Sequence, residues 1–171
     1  MKTFTKLAAA AATVVAMTTG AKAASITEIA VNDERFSTLV AAVTAAGLAD
    51  TLAGPGPFTV YAPVNAAFDA LPDGTVETLL KPENKGQLTD VLLYHVDDRK
   101  LTAEGIPAGS NYFKPLLTSQ RLCITKSGGG VEIADGTGDT ANVIIANIKA
   151  DNGVIHVIDK VLLPGQRPAC H

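Results

Sequence analysis

The amino-acid sequence predicts an α+β domain behind an export leader. Three observations carry this. Apolar residues at helical spacing concentrate between Ser25 and His95, short apolar runs punctuated by Gly, Asn and Asp turns follow Val96, and no strand–helix–strand alternation joins the halves.

Taken in order, Ser25–Ala30 and Arg35–Leu48 carry apolar residues on one helical face, with Asn32 or Asp33 as the cap of the second and Gly47 at its end. Gly54-Pro55-Gly56-Pro57 breaks the chain, Phe58–Ala62 reads as a strand, and Asn65 is placed to cap a short helix over Ala66–Leu71. Thr75–Leu80 is a further helical turn or two, and Lys85–His95 a longer helix with Leu88, Val91, Leu92 and His95 along one side. Beyond it, Lys100-Leu101 is a candidate short strand, Thr102–Ile106 a turn, and Ser110–Thr118 irregular. Arg121–Lys126 and Val131–Ala134 form a hairpin across Ser127–Gly130, and Asp135–Asp139 is a turn. Asn142–Lys149 pairs with Val154–Leu163 across Asp151-Asn152-Gly153, where Asn-Gly suits a type I′ turn.

The leader comprises basic Lys2 and Lys6, the apolar run Leu7–Met17, and Ala21-Lys22-Ala23, a small-x-small signature that places cleavage between Ala23 and Ala24. It is too short to read as a spanning helix, so the mature chain is expected without a membrane span, in the periplasm or outside the cell. Removing Lys2, Lys6 and Lys22 leaves eleven basic residues against seventeen acidic ones. That balance disfavours nucleic acid and anionic membranes as partners. Cys123 and Cys170 are the only cysteines. In an oxidising compartment such a pair is expected to bridge, two free thiols being the alternative, and on the chain-entropy model a loop of this size contributes about 4 kcal/mol.

Candidate chemistry is sparse. No Gly-x-Ser-x-Gly elbow surrounds any serine, and Gly54-x-Gly56 follows a helix where a phosphate loop would follow a strand. Asp135–Asp139 reads as a turn before it reads as a calcium loop, because the distal ligands of such a loop are missing. Neither metal nor cofactor is expected. The run Asn152–Pro164 is apolar on both pleat faces, so His156 and Asp159 within it are either satisfied by partners or used for chemistry. The satisfied reading is preferred: with Asn65 they are expected to form a structural polar core, and His95 to pack against a backbone carbonyl.

Three segments together resemble the fasciclin domain. Phe58–Leu71 is similar to the family's first signature box, Tyr94-His95-Val96 to its tyrosine–histidine motif, and Asn152–Pro164 to its second box, in the family's order. The likeness covers Ser25–Pro164, leaving a short tail over residues 165–171. It departs at Val64, where the family most often has Thr, and over Ile106–Lys126. The resemblance implies a wedge of two β-sheets flanked by a small helical bundle, no enzymatic activity, and adhesion to a cell-surface or matrix protein or glycan. It also implies a partner-binding role for Tyr94 and His95. Tyr112 and Phe113, in the divergent stretch, and the acidic turn Asp135–Asp139 are the exposed candidates. The competing expectation is a small-molecule-binding periplasmic protein on the same fold.

Overall fold

The computed structural model describes residues 23–171, so the expected leader, apart from Ala23, lies outside the described residues. Among the described residues six α-helices come first, apart from one strand: α1 Ile26–Val31, α2 Ser37–Ala46, α3 Ala49–Ala53, then β1 Phe58–Pro63, then α4 Asn65–Asp69, α5 Thr75–Leu80 and α6 Lys85–Tyr94. Six strands follow: β2 Val96–Asp97, β3 Gly109–Phe113, β4 Leu122–Ser127, β5 Gly130–Ala134, β6 Thr140–Ala150 and β7 Gly153–Ile158. The α+β class holds.

The strands hydrogen-bond in one order, β2-β1-β7-β6-β5-β4-β3. All neighbours are antiparallel except β1 and β7, which run parallel from Phe58 opposite Gly153 to Pro63 opposite Ile158. The long strand β6 joins the two halves of the wedge. Its first residues pair with β5, its remainder with β7, and the register slips at Val143/Ile145 and again at Ile145/Ile148. Such bulges bend a strand and increase its twist, which lets one sheet turn from one half into the other.

β7 lies between β1 and β6, and all six of its residues are buried. Alternation sends its side chains to two cores. Ile155 and Val157 join Val60 and Ala62 against Phe36, Leu39, Val43 and Leu92 of the helical layer. Ile158 joins Tyr61, Tyr94, Phe113, Leu122, Ile124 and Ile133 inside the wedge.

Several expected elements differ. The helix expected over Arg35–Leu48 begins as a 3₁₀ turn at Glu34–Phe36, ends at Gly47 with φ 74°, and is followed by the separate α3. Asn65 does not cap its own helix: Val64 holds that position, with no side-chain cap bond. Asn65 instead reaches α2, accepting from the Thr38 amide at 3.1 Å and donating to the Glu34 carbonyl at 2.8 Å. It caps a neighbour.

The short strand falls on Val96-Asp97 rather than Lys100-Leu101, and β3 occupies part of the stretch expected to be irregular. β7 ends at Ile158, before the expected Leu163. Its turn is Asp151-Asn152, since Ala150 pairs with Gly153. Neither turn residue has positive φ, so it is not the type I′ turn expected.

Candidate functional site

The tyrosine–histidine pair is interior. Tyr94 is fully buried and donates its hydroxyl hydrogen bond to the Arg121 carbonyl at 2.8 Å. His95 follows at the end of α6, and its imidazole touches two elements. Nδ1 lies 2.7 Å from the Val91 carbonyl, and Nε2 receives the Leu162 amide at 2.8 Å. Since Nε2 accepts, the pattern assigns the proton to Nδ1, a neutral ring with both nitrogens occupied. Burial pushes its pKa down to about 4, against smaller upward effects from Val91 and Asp135.

His156 plays a parallel part at the bend of β6. Asn147, at φ 60°, stands in the bulge, and its amide donates to His156 Nδ1 at 3.3 Å. Nε2 lies 2.6 Å from the Leu101 carbonyl, so this ring too is neutral, and burial lowers its pKa. The Asn147 side chain extends the same junction, accepting from the Ala103 amide and donating to the Glu104 carboxylate. Tyr61 stacks beside His156, its hydroxyl buried without a hydrogen-bond partner among the described residues.

These histidines make stability acid-sensitive. The unfolded chain titrates near 6.5, whereas folded His95 titrates near 4. Between those values the unfolded state binds more protons, so the contribution is complete above about pH 6.5 and is lost as pH falls toward 4. The urea midpoint is expected to fall between pH 7 and pH 5, and less steeply in His95→Asn. Equal slopes in both proteins would contradict the assignment.

Asp159 holds register at the other end of β6, accepting from the Asn142 amide at 2.7 Å and its side-chain amide at 2.9 Å. Two further anchors went unrecognised in the sequence. Asp135, only 1 % exposed, accepts at Oδ1 from the amides of Thr137 and Asp139 and the Thr137 hydroxyl, and at Oδ2 from the Leu163 amide. The Asp-Gly-Thr-Gly-Asp run signals such an Asx turn. Asn152 accepts from the Ile26 amide and donates to the carbonyls of Leu52 and Gly54, joining α1, α3 and the β6–β7 turn.

The surface candidates divide. Phe113 is buried in the wedge core and is not a contact residue, because it faces the inner side of β3 beside Leu122. Tyr112 points outward and is 43 % exposed. The carboxylate of Asp135 is likewise removed from the surface, although Asp139 stays exposed. Cys123 and Cys170 are bridged, with Cα atoms 5.5 Å apart, tying the tail to β4. Ala23 and Ala24 are exposed. Ile144 and Ile145 are both exposed, at 52 % and 40 %, because the bulge puts consecutive side chains outside.

One hollow reaches the helical layer. An apolar cavity of about 70 Å³ lies between α1, α2, α3 and the sheet, lined by Ile26, Ala30, Phe36, Val43, Leu52 and Ile155 among others, with exposed Val31 also on its wall. Among the described residues no group of three or more His, Cys, Asp or Glu side chains is placed to hold a metal, and no helix is long and apolar enough to cross a membrane.

Comparison with known proteins agrees with this architecture. The solved FAS1 domain pair from the insect cell adhesion molecule fasciclin I superposes with a TM-score of 0.71 at 19 % identity, covering 84 % of this chain and 52 % of that one. Protein sll1483 of Synechocystis is 49 % identical over 142 residues, which cover 83 % of this chain and 74 % of that protein. The immunogenic protein MPB70 of Mycobacterium bovis is 33 % identical, over 78 % of this chain and 65 % of its own length. The transforming growth factor-beta-induced protein ig-h3 of pig is 38 % identical, over 81 % of this chain but only 19 % of its own length. The family model described as Fasciclin domain matches residues 34–164. With the two signature boxes lying side by side as β1 and β7, and the tyrosine–histidine motif packed beneath them, the chain belongs to the fasciclin domain family.

Proposed function

We propose that this chain is an exported adhesion module, attaching to a cell surface or matrix through protein or glycan contacts, in the periplasm or outside the cell. The observation that carries this reading is where the buried polar groups point. His95, His156 and Asp135 bond the chain's own backbone, which occupies all three buried groups and leaves none of them free for chemistry. Function then falls to the outer surface. There Ile144 and Ile145 form an adjacent apolar pair of the kind that marks contact sites. Family membership supports the same direction, since the family includes an insect cell adhesion molecule.

The expected result is that beads coated with the protein retain cells of its own source above uncoated beads, and that Ile144→Asp with Ile145→Asp lowers retention at unchanged melting temperature. Retention no better than on uncoated beads would refute the reading.

A second reading, a binder of a small apolar molecule, is favoured by the cavity alone. Its Thr44 hydroxyl is bonded to the Val40 carbonyl, and both His95 nitrogens are engaged, so an occupant would meet almost no free polar group. Xenon, small enough for such a cavity, should then shift the methyl resonances of the lining residues in the parent and not in Val43→Phe, which fills the space. No shift in the parent removes this reading.

A further inference from the structure

We propose that the cleft between the loop Thr118–Arg121 and the tail at Gly165–Arg167 binds carboxylate groups of an acidic polysaccharide of the polyuronate class. The proposal rests on the adhesion reading and adds to the Ile144–Ile145 pair a second contact surface and the chemical class of its partner.

The cleft, about 310 Å³, is lined by Thr118, Ser119, Gln120, Arg121, Gly165 and Arg167. Arg121 and Arg167 both line it, a local pair of positive charges in a chain whose net charge is negative. Among the described residues neither makes an ion pair; the arginines that do are Arg35 and Arg99. Both are held in place. Arg121 is half-buried and donates through one terminal nitrogen to the carbonyls of Thr118 and Gln120, leaving its other N–H groups for a ligand. Arg167 lies over the Tyr112 ring, 4.1 Å from its centroid, and the Tyr112 hydroxyl donates to the Pro168 carbonyl.

The tail that supplies Arg167 follows the segment matched as the family domain and is fastened on both sides. Before it, the Gln166 amide donates to the Gly136 carbonyl at 2.7 Å, in an approach so close that a Cβ on Gly136 would stand 2.2 Å from the Gly165 nitrogen. After it, Cys170 is bridged to Cys123, which pairs directly with Tyr112 across β3 and β4. Tail, disulfide and Tyr112 therefore hold Arg167 in the wall of the same cleft that Arg121 lines.

Charge and lining select the ligand. A guanidinium presents a planar fork that matches a carboxylate through two parallel hydrogen bonds. The remaining side chains are two hydroxyls and an amide, suited to sugar hydroxyls. No large apolar side chain lines the cleft, so it lacks the anchoring pocket that a protein partner's hot spot fills.

The test is retention of the full-length folded protein on immobilised alginate, with neutral dextran and polyglutamate in parallel. Expected are binding to alginate that weakens with added salt, little on dextran, and a drop of at least about tenfold for Arg121→Gln with Arg167→Gln. Lys149→Gln with Lys160→Gln, removing equal charge from exposed positions elsewhere, should bind as the parent does. Cys170→Ser, which frees the tail, should weaken binding while the domain stays folded by circular dichroism. Equal retention of the arginine variant and the lysine control, equal binding to dextran, or binding to polyglutamate without alginate would each overturn the proposal, the last in favour of an acidic protein partner. Cell attachment separates the two readings. Attachment without alginate binding leaves the adhesion module and removes this site, whereas alginate binding without attachment does the reverse.

Discussion

Gly153→Ala is expected to destabilise the domain by more than about 4 kcal/mol, among the largest losses a single methyl group can cause. Gly153 begins β7, opposite Phe58 of β1 and Ala150 of β6, and is buried. A Cβ built there would stand 1.9 Å from the Phe58 carbonyl oxygen, 2.8 Å from its carbon and 2.9 Å from Ile26 Cδ1. The nearest obstacles are backbone, so no rotamer change relieves them. The parallel pair β1–β7 has to separate where its hydrogen bonding starts. Gly56 repeats the constraint, since its Cβ would lie 2.1 Å from the Asn152 carbonyl oxygen. For a domain of this size the loss corresponds to a melting temperature lower by roughly 10 °C or more. Gly128→Ala, in a turn with nothing within 4 Å of the added carbon, should stay within about 0.5 kcal/mol of the parent. A Gly153→Ala protein melting with the parent would show that the close approach is wrongly placed.

Asp135→Ala should lower stability by about 3–5 kcal/mol, measured by urea denaturation. The carboxylate takes four hydrogen bonds, and its removal leaves three backbone amides and a hydroxyl to find water. The Leu163 amide matters most, because that bond ties the segment after β7 to the β5–β6 turn across 28 residues. Asp135→Asn keeps one acceptor oxygen and should fall between. Asp139→Ala, four residues on but exposed, should change stability by less than about 0.5 kcal/mol. Equal effects at the two positions would contradict the role given to Asp135.

Both residues show how far the sequence could be read. Asn152-Gly153 was legible as a special pair, but for the wrong reason. Its glycine answers a close approach of β1, a contact between residues nearly a hundred positions apart that no local signal reports. The central strands were legible because burial on both faces leaves a nearly continuous apolar run, as in Val154–Ile158 with His156 its one polar residue. β3 was not, because only Phe113 of its five residues is buried while Ser110 and Tyr112 meet the tail. Asn65 was recognised as a capping residue, yet the helix it caps precedes it in the chain by 27 residues. The anion cleft was invisible in the sequence for the same reason, its two arginines being brought together by a disulfide and a glycine–glycine contact.

The tyrosine–histidine region builds the core, and on the adhesion reading binding belongs to the surface. His95→Ala separates the two roles, with melting temperature and attachment of coated beads to cells measured on the same preparation. The variant leaves the Leu162 amide without its acceptor and a void beside Leu92, so the melting temperature should fall. Well below that temperature, attachment should equal the parent's. An unchanged melting temperature together with lost attachment would contradict the claim and make His95 part of the binding site.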